Sequence, residues 1–125
     1  TSHTMLLRAS GQNENKQYEV NSVTSDDLDS GVAHGPWLRA LTQATIKGEW
    51  QELAELRVAA QEAMGHQQML DVLTVAAAFN GITRVADATG IPLDHNTAQE
   101  TGNLREQTGI SRFEYEEKSV RYQFK

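Results

Sequence analysis

A chain of 125 residues fits one domain, and without a cysteine it has no means of its own to form a disulfide, a thiolate metal site or a cysteine nucleophile. Eleven Lys and Arg against seventeen Asp and Glu give a formal net charge of -6, the wrong sign for tracking a phosphate backbone, so no nucleic-acid partner is expected. There is no basic-then-apolar leader, no continuous apolar run near the ~18 residues of a membrane span, and no HExxH-like spacing among the four histidines. The expectation is a cytoplasmic chain with no membrane partner, no metal and no cofactor.

In chain order, HTMLLRAS over residues 3–10 reads as a helix that stops at Gly11, a residue suited to the left-handed turn beyond a helix. The polar QNENKQYEVNS reads as a connection. Thr24 or Ser25 is placed to cap a short acidic turn, SDDLDS, whose aspartates suit a helix N-terminus. A clearer helix starts at Pro36, where a missing N–H costs nothing. Its residues Trp37, Leu38, Leu41, Ala44 and Thr45 recur at spacings of three and four, and Lys47-Gly48 closes it. A second amphipathic helix, EWQELAELRVAAQEAM, carries Leu53, Leu56, Ala60 and either Ala63 or Met64, and ends near Gly65.

The segment HQQMLDVLTVAAAFNGITRVADATG has two apolar faces. Met69, Val72, Leu73, Ala76 and Phe79 form one, and Val75, Ala78, Ile82, Val85 and Ala86 the other. This pattern predicts the central helix of a bundle, wetted only along a narrow stripe and ended by Gly90-Ile91-Pro92. Beyond Asp94 the chain is polar, with a short helix expected near 96–106. The last stretch holds Phe113, Tyr115, Val120, Tyr122 and Phe124 and reads as an edge strand or an arm on a partner subunit. The predicted fold is all-α, a bundle of about five helices with the pair near 49–63 and 66–90 as its core hairpin. Residues 1–94 would form the helical domain and 95–125 a polar C-terminal extension.

Two features are candidates for chemistry. Asn80, Arg84 and Asp87 share a face of the central helix. They read either as a structural polar clamp, with Arg84 held by Asp87 and a neighbouring carbonyl, or as the polar lining of a substrate pocket. If Arg84 is a buried clamp, Arg84→Ala strands buried acceptors at about 1–3 kcal/mol. Histidine is a residue type that recurs in proton transfer, which makes His3 a candidate acid or base, but a histidine near a terminus is ordinarily a solvated residue.

The stretch MLDVLTVAAAFNGITRVADATGIPLD resembles the C-terminal helix of the AhpD-like alkylhydroperoxidase and carboxymuconolactone decarboxylase superfamily, where an FN phrase is followed by Arg, Ala-Asp and Gly. The preceding LRVAAQEAMGHQQ resembles the helix and turn leading into it, so the likeness covers residues about 36–94. Thr83 departs from the pattern, since many relatives carry a second Asn beside the Arg. In that family a CxxC pair opens a helix, is followed by His, and the helix ends in LR-x-x-G. His3 to Gly11 resembles that histidine and the rest of that helix, which would place the two cysteines just before Thr1.

The resemblance implies an AhpD-like fold and a thiol-dependent, peroxidase-type antioxidant oxidoreductase in which a thiolate attacks peroxide, the sulfenic acid condenses with the second thiol, and a reductant restores the pair. His3 would be the catalytic residue carried by this chain, assisting proton transfer. Without the CxxC the chain alone would be inactive, and a separate N-terminal segment carrying CxxC is an implied partner. The alternative is a genuine start at Thr1 and a cysteine-independent relative, a small-molecule-binding or decarboxylase-like module. Arg84 or Arg57 would then anchor a carboxylate, if neither is structural. Either way the resemblance, the tail aromatics and the two-sided apolar helix imply a homo-oligomer.

Overall fold

The computed structural model describes residues 2–91 and 93–113, and among them there are six α-helices, two short 3-10 turns and no strand. The chain is all-α. The helices are α1 (Ser2–Asn13), α2 (Gly35–Lys47), α3 (Trp50–Met64), α4 (His66–Thr89), α5 (His95–Glu100) and α6 (Gly102–Thr108). Two compact units result, Thr1–Ala33 together with Gly90–Lys125, and His34–Thr89.

In the His34–Thr89 unit, α2, α3 and α4 pack on one another. Pro36 lies in the first turn of α2, as its lack of an N–H allows. At the other end Gly48 takes a left-handed φ of 74° that a side chain would oppose, and its N–H closes on the carbonyls of Ala44 and Thr45. The core is Leu41, Ala60, Met64 and Met69, flanked by Trp37, Leu38, Leu53, Leu56, Val72 and Leu73. Met64 rather than Ala63 supplies the last inward residue of α3.

The environment of α4 differs from the expected narrow wet stripe. Met69 and Ala76 are buried, but Val75, Phe79, Ile82 and Val85 are exposed, Ile82 at 64%. The reason is length and one-sidedness. At 1.5 Å per residue the 24 residues of α4 extend about 36 Å, whereas α2 with 13 and α3 with 15 reach about 20 and 22 Å. Both partners also pack on the Met69–Ala76 side. By length and mean hydropathy (1.3 over 18 residues) α4 is able to cross a membrane, although no continuous apolar run in the sequence suggests it. The core helix of a water-soluble protein meets the same two criteria, so this carries no argument.

In the other unit, α1 runs through Gly11 to Asn13 instead of stopping at the glycine. The left-handed residue is Asn15, with φ 55°. Gly11 is required for space, because a Cβ there would lie 2.7 Å from the Lys16 carbonyl oxygen and 2.9 Å from the Tyr18 ring. α1 and α6 both pack on a 3-10 turn, Val20–Val23, and Arg8 donates to the Gln107 side-chain oxygen at 2.9 Å.

The expected acidic helical turn after Thr24 is absent, and residues 25–30 form bends and turns. The Thr24 hydroxyl is engaged elsewhere, donating to the Thr108 carbonyl at 2.6 Å, while Arg112 Nη2 donates to the Thr24 carbonyl at 2.6 Å. In place of the one helix expected near 96–106 there are two, broken at Thr101, which leaves the helical region at φ -100°, ψ 3°. The Asp94 carboxylate caps α5 by accepting from the Thr97 N–H at 2.9 Å. Tyr115, Val120, Tyr122 and Phe124 of the expected strand or arm lie outside the described residues.

Candidate binding groove

Where α4 runs past α2, the two helices leave a groove of about 640 Å³. Leu38, Thr42 and Ile46, four residues apart along α2, form one wall. Val72, Val75, Ala76, Phe79, Asn80 and Thr83 of α4 form the other, with Asp71 and Arg84 also lining it. The surface is mostly apolar. Its polar groups are one amide, two threonine hydroxyls and one charge of each sign.

Several of these groups are already engaged. Asp71 accepts from Gln67 Nε2 at 2.8 Å. The Thr83 hydroxyl turns back onto its own helix, toward the carbonyls of Phe79 (2.9 Å) and Asn80 (3.1 Å). Arg84 Nη1 stands 3.7 Å from the Asp87 carboxylate with two thirds of its side chain exposed. At that distance and exposure the pair is a surface ion pair within one helix, easily exchanged for another anion.

Of the residues singled out by sequence, Asn80 and Arg84 lie on the groove. Asp87 does not line it but pairs with Arg84. His3 is exposed in the first turn of α1 and belongs to the other unit, and Arg57 is exposed on α3 and lines no part of the groove. Sequence reasoning missed the α2 wall and Asp71. The signal was present in the four-residue spacing of Leu38, Thr42 and Ile46, but Leu38 was assigned to the core stripe and the other two to none. Comparison of the chain with family models, curated proteins and solved structures finds no match in any of the three.

Proposed function

We propose that the chain is an AhpD-like helical protein whose α2/α4 groove binds a small, largely apolar molecule with an anionic group, and that any peroxidase-type redox step is carried by cysteines outside these 125 residues. One observation carries the reading. Phe79, Asn80 and Arg84, residues of the phrase on which the family resemblance rests, also line the apolar groove between α2 and α4. Its volume of about 640 Å³ falls within the range of roughly 300–1,000 Å³ common for small-molecule sites. Apolar walls supply affinity by releasing water, and Arg84 at the rim supplies a fixed cation for a carboxylate or peroxy-acid group.

The residues present include no thiol and so cannot by themselves run the thiolate, sulfenic acid and disulfide cycle. His3 assists proton transfer in the peroxidase reading, which requires a thiolate from elsewhere. In the second reading the chain is a cysteine-independent binding module.

Calorimetric titration with octanoate, paired with a peroxide-consumption assay in dithiothreitol, tests the proposal. The full chain is expected to bind octanoate, to lose binding when Val75→Trp fills the groove, and to consume no peroxide by itself. Octanoate binding that Val75→Trp leaves unchanged, or peroxide turnover by the thiol-free chain, contradicts it. Intact mass then separates the two versions. Protein from its source heavier than 13.9 kDa, with Cys-x-x-Cys ahead of Thr1, supports the redox version, and a thiol-free 13.9 kDa supports the binding module.

A further inference from the structure

The line of α4 that runs along the groove is uncharged for its whole length. Residues 72–83, VLTVAAAFNGIT, hold no Asp, Glu, Lys or Arg, and Val72, Ala76, Phe79 and Thr83 follow one another at spacings of four, three and four. Thr83 keeps its hydroxyl on its own helix. Asn80 and Arg84, one turn apart, form one edge of the groove at the C-terminal end of that line. Only residues 48–49 join α2 to α3 and only Gly65 joins α3 to α4, and short connections make neighbouring helices antiparallel, so α2 and α4 run in the same direction. Leu38 therefore lies at the Val72 end and Ile46 toward Arg84. Both helices wall the groove at its Val72 end. At the other end, where α2 stops at Lys47, α4 carries on alone with an amide and a guanidinium.

From Val72 to Arg84 the helix advances about 18 Å. An extended alkyl chain advances about 1.3 Å per carbon–carbon bond, so about fourteen carbons fill that length and octanoate covers about half of it. We infer that the ligand is a long-chain fatty acid of about fourteen carbons, its carboxylate at Arg84 and Asn80 and its chain laid along Phe79 and Val72 toward Leu38. Such a chain covers Val75, Phe79 and Ile46, which are otherwise 55%, 42% and 45% exposed. The Arg84–Asp87 pair that must yield to the carboxylate is an exposed one at 3.7 Å. Beyond Val72 the next lining residue is Asp71, whose charge ends the apolar contact, so still longer chains gain nothing further. The inference rests on the groove being the ligand site, and adds to that reading a length and a direction.

Calorimetric titration of the full chain with octanoate, decanoate, dodecanoate, tetradecanoate and hexadecanoate, each below its aggregation concentration, tests it. Kd is expected to fall about two- to fourfold per added methylene as far as tetradecanoate and to level off at hexadecanoate. Val72→Phe, which shortens the groove at its far end, is expected to weaken tetradecanoate at least about fivefold more than octanoate, whereas Arg84→Gln weakens both by the same factor. Circular dichroism checks that the variants are folded, and the chain-length series on the original protein stands without them. Octanoate binding that Val75→Trp abolishes but that longer chains do not improve overturns the inference and leaves the small-carboxylate reading standing. A gain that continues past tetradecanoate, or that Val72→Phe leaves intact, overturns the length and direction. Tetradecanoate binding indifferent to Val75→Trp puts the ligand elsewhere and removes both readings.

Discussion

Gly11 and Arg84 show how the neighbourhood of one residue decides its role. Gly11 lies inside α1 without a positive φ, so helix propensity alone favours alanine there by up to about 1 kcal/mol. The Lys16 carbonyl oxygen, 2.7 Å from where a Cβ would stand, is backbone and has little room to give. Gly11→Ala is therefore expected to destabilise by about 1–3 kcal/mol in urea unfolding, and a stabilised variant would remove the packing argument. Arg84 is the reverse case. With its side chain two thirds exposed and its pairing with Asp87 long, Arg84→Ala is expected to change stability by less than about 1 kcal/mol while weakening octanoate binding. Thermal unfolding beside calorimetric titration separates those two effects, and a large loss of stability would restore the buried-clamp reading.

The helices were legible where an apolar stripe had a periodic partner. Leu41, Ala44, Ala60, Met64 and Met69 recur at helical spacing, and all five are buried. The same periodicity misled on α4, because an apolar face records what a helix offers to bury and not the length of its neighbours. Val75, Ile82 and Val85 offer a face that α2 and α3 are too short and too one-sided to cover.

Polar local chemistry set the shorter elements. The hydroxyl of Thr24 went to a distant carbonyl and not to a helix N-terminus, and nothing local in sequence marks that choice. Asp94 did go to a cap. Its side-chain hydrogen bond with Thr97, helped by the Thr97 backbone N–H, lowers its pKa from the ordinary 3.8. A depressed carboxylate pKa means the folded form prefers the charged cap. The cap's contribution is thus complete above pH 3.8 and is lost as pH falls through the lower folded value. Amide exchange at Thr97 is expected to accelerate over that acid window and to become independent of this titration in Asp94→Asn.

At the scale of the molecule the two units differ in what they bury. The His34–Thr89 unit closes on leucine, methionine and alanine. The other buries Thr4, Ser22, Thr101 and Thr108 beside Val20 and Leu104. Three of those hydroxyls donate to nearby carbonyls, Ser22 to Glu19 at 2.6 Å, Thr101 to Thr97 at 2.6 Å and Thr108 to Leu104 at 2.8 Å, which makes them tolerable inside. A threonine that satisfies itself one turn back does not register in an apolar periodicity, so this core was not legible. Of the α4 wall, Asn80 and Arg84 stood out as a clamp or pocket lining, but Val75 was read on a different face from Val72, Ala76 and Phe79, and Asp71 was missed. The α2 wall was not legible, since a groove between two helices depends on their crossing, which neither helix encodes alone.

The central claim, that the α2/α4 groove is the site at which this protein recognises its ligand, is tested most directly by titrating the isotopically labelled full chain with octanoate and following every backbone amide. The account expects saturable shifts concentrated at Thr42, Ile46, Val75, Phe79, Thr83 and Arg84, with small changes at Arg57 and in α1. Shifts confined to residues away from α2 and α4, or no saturable shift at all, would contradict it.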